Sequence, residues 1–474
     1  MLAAAPRLIR RLAGRADGRS VACKGGKAEV HIYPADQYKP SNPWWAKRIA
    51  ETEPSELTEA PEPPQLAAFR AATAGGAACA PGSAGAAELF TLDPGWAYLN
   101  HGSYGATFKL AMEAQGWYRD RMEEQPVMFM EGTALDGVAR AAALLAPFVG
   151  ADWRDVVPIV NATSGVNAVV NSLQLQRGDL LLMANTTYPA VRSTLARAAG
   201  RAGASLVDIS FTMDALLDED AIVAAYAAAA AAARKAGGKV RLAMIDHCVS
   251  FPPVVMPVAR ICDALRAEGV PVMVDGAHAL GAFARLDVPS LGCDYYVSNA
   301  HKWLCSPKGC AFLWAARARQ PSLAPLATSH GYGLGFRAEF LWAGTADPTA
   351  WLCVPACLAA LERLGGLEAV AAHNHDLDGV GGTGAASGAA GEAAAAAARG
   401  ELPRTPEGAL LLQRHLRARW RIEVPVACVG GRLYCRISAQ VYNRIDQYEH
   451  LAEAVQQLRG DVRGAAWSGR GGGA

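Results

Sequence analysis

From Val156 onward the chain alternates short apolar runs with longer amphipathic stretches, and this alternation leaves few folds open. The runs are VVPIV, LLLMA, SLVDIS, RLAMID and VMVD, separated by helical patterns that start near Gly165, Ala190, Ala221 and Val258. Short strands divided by helices of that length build βαβ units and a mostly parallel sheet, because a parallel neighbour requires a crossover and the helix supplies it. In open α/β sheets ligands bind outside the carboxyl ends of the strands. The residues that close those strands are therefore the ones to read for chemistry.

Two of them stand out in PVMVDGAHALGAFARLDVPSLGCDYYVSNAHKWLCSPKGCAFLW, residues 271 to 314. One apolar strand stops at Asp275, and a second, Asp294 to Val297, delivers His301 and Lys302 just past its end. An acid and an amine facing one crevice is the arrangement pyridoxal phosphate (PLP) requires. A carboxylate beside its pyridine nitrogen favours the cationic, electron-withdrawing form, and a lysine amine holds its aldehyde covalently. Lysine suits that task because its ammonium loses a proton readily when desolvated, which arginine does not.

The segments VDGAHALG and YYVSNAHKWLCSPKG resemble the class V aminotransferase-like family of fold-type I PLP enzymes, above all its isopenicillin N epimerase and plant-type L-cysteine desulfhydrase branch. Matches to the family pattern recur from about Tyr98 to Leu458. The resemblance implies an α/β PLP-dependent transferase fold, with a large domain around a mostly parallel sheet and a smaller α+β C-terminal domain. It makes Lys302 the cofactor-anchoring base and Asp275 the partner of the ring nitrogen, and it sets His278 and His301 beside the cofactor. Thr163 and Ser164, in the turn NATSGVNA, occupy the family's phosphate-binding positions, although Ser or Thr before a helix is also an ordinary N-cap. Tyr188 falls where a ring covers the cofactor's face. Arg436, in CRISAQVYN, matches the guanidinium that grips the substrate carboxylate, and Asn100 and His101 match a loop on the substrate side. Gly344 and Thr345 resemble a segment that reaches the neighbouring subunit's phosphate, which implies a homodimer with shared sites.

Outside this region, five arginines and one acid in residues 1 to 22, with Leu8, Ile9 and Leu12 on one helical face, have the composition of an organellar transit peptide for mitochondrion or chloroplast. Residues 23 to 87 are rich in Pro, Ala and Gly and read as a linker with one helix near Leu66 to Ala74; Trp44 and Trp45 are its two residues best suited to dock elsewhere. The large domain is expected over 88 to 349 and the small one over 350 to 459. That small domain carries an Ala/Gly-rich insert at 381 to 400, and a Gly-rich tail runs from 460 to 474. A net charge of +1 offers no footprint for nucleic acid, and no uninterrupted apolar run has the length of a membrane span. Eleven scattered cysteines without CxxC or zinc spacing point to a reducing compartment and to no metal site.

The expected substrate is a small amino acid. β-Elimination from cysteine, releasing sulfide, pyruvate and ammonia, is favoured by the likeness of RLAMIDH, VMPV and YYVSNAHKW to the desulfhydrase branch. Epimerisation and transamination would use the same motif residues. Cysteine desulfuration needs a nucleophilic thiol shortly before Arg436, where Cys428 is the one candidate. A non-catalytic scaffold would have no need of Asp275 and Lys302.

Overall fold

The computed structural model describes residues 19–22, 29–32, 40, 42–380 and 404–461. The proposed transit peptide up to residue 18, the insert 381–400 and the tail from 462 lie outside the described residues. The chain divides into two units, Met1–Trp44 and Trp45–Ala474. In the first, β1 (Arg19–Ala22) pairs antiparallel with β2 (Glu29–Ile32).

The second unit does not begin as a linker. Helices over Trp44–Glu51 and Pro64–Thr73 bury Trp45, Ile49 and Leu66. Trp45 packs its ring 5.3 Å from Trp342 and 5.5 Å from His330, and Leu66 enters the main core. Arg48 pairs with the buried Asp136, whose carboxylate also accepts the Thr58 amide at 3.0 Å. Composition misled here because a few large side chains, spaced to meet a preformed surface, outweigh many prolines and alanines. Trp45→Ala is expected to cost about 3 kcal/mol or more of stability. A urea titration would show this as a lower midpoint with an unchanged slope, and an unchanged midpoint would mean that this segment is not docked in solution.

After β3 (Ala97–Tyr98) and the helix Lys109–Glu124 comes the sheet. Its strands in chain order are β4 (Val156–Ile159), β5 (Asp179–Ala184), β6 (Ser205–Ile209), β7 (Lys239–Asp246), β8 (Val272–Asp275), β9 (Tyr295–Asn299) and β10 (Ala311–Ala315). In space they lie β4-β10-β9-β8-β7-β5-β6. β10 runs antiparallel to both β4 and β9, and the other pairings are parallel, so β4, β5, β7, β8 and β9 all end on one edge.

Side chains alternate between two cores, as the period of two in a strand requires. Leu181, Met183, Leu242, Met244, Met273 and Val297 face the helices Ala162–Ser172 and Pro189–Ala202. Leu182, Ala243, Ile245, Val274, Tyr296 and Phe312 face the opposite layer, which includes the helices Leu135–Leu145, Glu219–Lys235 and Val258–Ala267. Both faces are covered, which is why these strands read as continuous apolar runs.

Past residue 350 the chain still contributes to the main core. Cys353, Val354, Cys357 and Leu361, on and beside the helix Val354–Arg363, are buried in the same core as the sheet. A separate small core forms from the helix Pro406–Trp420, β11 (Ile422–Glu423), the hairpin β12 (Val426–Val429) and β13 (Arg432–Cys435), and the helix Ile445–Asp461. Ala97 and Leu99 complete it, because β3 pairs in parallel with β11. The loop that follows β3 is thereby fixed between the small core and the sheet edge.

Candidate active site

Asp275 and Lys302 leave adjacent strands at that edge. Asp275 is the last residue of β8 and is buried; its Oδ1 accepts the Ala277 amide at 3.0 Å. β9 ends at Asn299 and a single turn, Ala300–Trp303, carries Lys302. Lys302 Nζ lies 3.2 Å from His278 Nε2. Burial lowers the Lys302 ammonium to about 8, with Asp275 pulling it up and Arg436 pushing it down. The amine is thus available in neutral form near physiological pH. Burial also raises the Asp275 carboxyl, against the Ala277 amide and the Lys302 charge.

Arg436 follows β13 and enters from the small core. Its Nη1 donates to the Ser250 carbonyl at 2.9 Å, and its Nη2 donates to Asn100 Oδ1 at 2.9 Å and Ser103 Oγ at 2.8 Å. Its Nε is buried without a partner. Gly102, Cys248, His278, Trp303, Arg436 and Ser438 line a cavity of about 510 Å³. Gly105 closes the loop above Lys302 with φ +73°, and a Cβ there would strike the His301 carbonyl, so only glycine permits so close an approach.

Two of the expected substrate contacts are placed differently. Asn100 is nearly buried and spends its side chain on Arg436, Ser103 and Glu423. It orients the guanidinium. His101 is fully buried, with Nδ1 2.8 Å from the Tyr442 hydroxyl and Nε2 3.0 Å from the Lys302 carbonyl. Both ring nitrogens are taken by protein groups, and burial lowers its pKa to about 3, so it supports the Lys302 turn as a neutral ring.

The helix Ala162–Ser172 follows β4, with Thr163 and Ser164 in its first turn. Asn161 caps it by accepting the Ser164 amide at 2.8 Å, and Asn299 accepts the Ala162 amide at 2.9 Å. Tyr188 follows β5 and is 44% exposed. His301 is turned to the chain itself, its Nδ1 2.9 Å from the Cys310 carbonyl. Gly344 lines a second cavity, of about 310 Å³, together with Ser164, and Thr345 next to it is exposed.

Sequence reading passed over Asp246. It closes β7 beside Asp275 and is buried; burial first, then Asp275, raises its carboxyl well above the usual range, while Thr187 and the Tyr188 amide bond to it. The signal was the one that marked Asp275, an acid ending an apolar strand. Asn161 and Asn299 were missed because an amide after a strand is a common turn residue.

This donor set suits PLP: a buried acid, a buried amine with a lowered pKa, a helix N-terminus bearing hydroxyls, and a fork of donors with an unsatisfied Nε. Among the described residues no group of three or more His, Cys, Asp or Glu side chains could hold a metal. The family model for aminotransferase class-V matches residues 120–380. The chain belongs to this family. As a class V enzyme it depends on PLP and has the type I fold. Arabidopsis thaliana L-cysteine desulfhydrase is 30% identical over 401 residues, 77% of this chain and 88% of that protein. Isopenicillin N epimerase of Streptomyces clavuligerus is 31% identical over 399 residues, 78% and 96% of the two chains. Among solved structures, the complex between the cystine C-S lyase C-DES and its reaction product cysteine persulfide matches with a TM-score of 0.63 at 20% identity, covering 76% of this chain and 97% of that one. The class V match spans Asp275 and Lys302 and stops before Arg436.

Proposed function

We propose that this chain is a PLP-dependent C–S lyase that cleaves cysteine or a cysteine derivative by β-elimination. The observation that carries the reading is the shared cavity, lined both by Arg436, with a buried, unpaired Nε, and by His278, in contact with the Lys302 amine. The likeness to L-cysteine desulfhydrases selects the sulfur substrate.

When bound, PLP withdraws electrons from the α-carbon of the amino acid. Asp275 and Lys302 would hold it, with Thr163 and Ser164 at its phosphate, Tyr188 at its face and His278 and His301 nearby. Arg436, steadied by Asn100 and Ser103, binds the substrate carboxylate through parallel hydrogen bonds and so orients the α-C–H bond. Lys302 Nζ, neutral above about pH 8, takes the α-proton. The β-sulfur group then leaves with the C–S bonding pair. Hydrolysis of the residual fragment gives pyruvate and ammonia. Epimerisation would begin with the same proton removal and end by returning the proton to the opposite face of the α-carbon.

No protein thiol takes part in this scheme. Cys428 sits in the β12–β13 hairpin opposite Leu433, its Sγ 3.2 Å from the Arg404 carbonyl. Cys248 lines the cavity, but burial pushes its thiol up to about 11, and Cys435 is pushed to about 12. A persulfide-forming cysteine must instead supply thiolate. Cys428→Ser is therefore expected to keep most sulfide release from cysteine, and loss of that activity would place the chain with the desulfurases.

The working form in this proposal is a homodimer, with Gly344 and Thr345 completing the partner's phosphate site. The exposed Val127, Met128, Val160 and Leu326 are suited to contact between subunits. Mixing a Lys302→Ala chain with a Thr345→Ala chain is then expected to restore activity above that of either alone, and no gain on mixing would argue for self-contained sites. The basic N-terminal segment directs the chain to an organelle, a role supported by its arginine-rich composition; the relatives include a probable chloroplastic L-cysteine desulfhydrase of Arabidopsis thaliana.

A further inference from the structure

His278 is held between two neighbours that together determine where its proton sits. Trp303 Nε1 lies 3.3 Å from His278 Nδ1, and Lys302 Nζ lies 3.2 Å from His278 Nε2. An indole N–H can only donate, so Nδ1 is the acceptor. The ring is neutral, because burial, reinforced by Lys302, Arg436 and His101, lowers its pKa well below the usual value. Its single proton is then on Nε2 and points at Lys302 Nζ. That hydrogen bond requires a lone pair on the amine.

Trp303 is itself fixed. Its ring lies 4.9 Å from the His101 ring at 58°, and His101 is anchored by the Tyr442 hydroxyl and the Lys302 carbonyl. The Ala106 amide also donates to His101 Nδ1 at 3.3 Å, and Gln440 Nε2 lies 3.1 Å from His101 Nε2, so the ring is held at both nitrogens. The loop after β3 thus meets the indole through His101, which Tyr442, beyond Arg436, holds in place.

We propose that Trp303 is a positioning residue that locks His278 in the Nε2–H tautomer and so favours the neutral amine at Lys302. The proposal rests on the reading of Lys302 as the reactive amine. Without the indole donor, His278 could move its proton to Nδ1 and turn Nε2 into an acceptor, which would favour the ammonium. The other charges that face this pair are Asp275 from β8, Arg436 from beyond β13 and the Cys248 thiol from beyond β7, together with His101. Of these, His101 packs on the Trp303 ring, which is why the variants keep an aromatic ring at position 303.

The test uses apoenzyme with ¹⁵N-labelled histidine. In the wild type, His278 is expected to show an unprotonated Nδ1 and a protonated Nε2; a protonated Nδ1 would overturn the proposal without any variant. In Trp303→Phe the two signals should exchange or average. The pH midpoint for acylation of Lys302 by a small anhydride, followed by peptide mapping, should also rise, lowering amine reactivity at neutral pH by roughly three- to tenfold, as expected for the loss of about one hydrogen bond. An unchanged tautomer and midpoint in Trp303→Phe would mean that Trp303 only fills space. Should that variant fail to fold, a benzothienyl analogue of tryptophan at position 303 removes the N–H and keeps the ring shape, with the same two outcomes. These readouts do not depend on which products are formed, so failure of the lyase reading would leave them standing.

Discussion

Lys302→Ala is expected to abolish turnover while leaving a folded protein. The amine would serve twice, holding the cofactor's aldehyde and removing the α-proton. Losing a positioned base alone typically costs about 10²–10⁴ in rate, and the anchor is lost with it, so a fall of about four orders of magnitude or more is the expected reading. The fold should survive because Nζ contributes a hydrogen bond to His278, whereas the turn itself is held through the Lys302 carbonyl by His101. The covalently held cofactor's yellow absorbance should vanish, and circular dichroism should match the wild type. Steady-state activity near the wild-type level would remove Lys302 from its role.

Asp275→Asn should be the second largest effect, a loss of roughly 100-fold or more, with cofactor still bound. The amide keeps the shape and can still accept from Ala277, but it cannot favour a cationic ring nitrogen. A second readout carries the opposite sign from that of Trp303→Phe. Asp275 raises the Lys302 pKa, so removing its charge should move the amine's titration below about 8, not above it. Near-normal turnover, or an upward shift, would count against the assignment.

Much of this was legible because the relevant signals are local. The apolar run closed by Asp275 announced where β8 stops, and the run Asp294 to Val297 located β9, which continues two residues further to Asn299. What escaped depends on partners distant in sequence. β10 inserts antiparallel between β4 and β9, which nothing in AFLWA specifies. The docking of Trp45 is set by Trp342 and His330, almost three hundred residues away. His101 reads as a site residue from its loop, yet Tyr442 and the Lys302 carbonyl turn it inward. The small core could not be bounded from sequence because its first strand, β3, lies far from the rest of it, before the main sheet begins.

The most direct measurement is the product balance of the full-length protein supplied with PLP and L-cysteine. β-Elimination predicts sulfide, pyruvate and ammonia in equal amounts, with no sulfur retained on any protein thiol. Alanine in place of pyruvate, with a persulfide on the protein, or D-cysteine without sulfide, would contradict it.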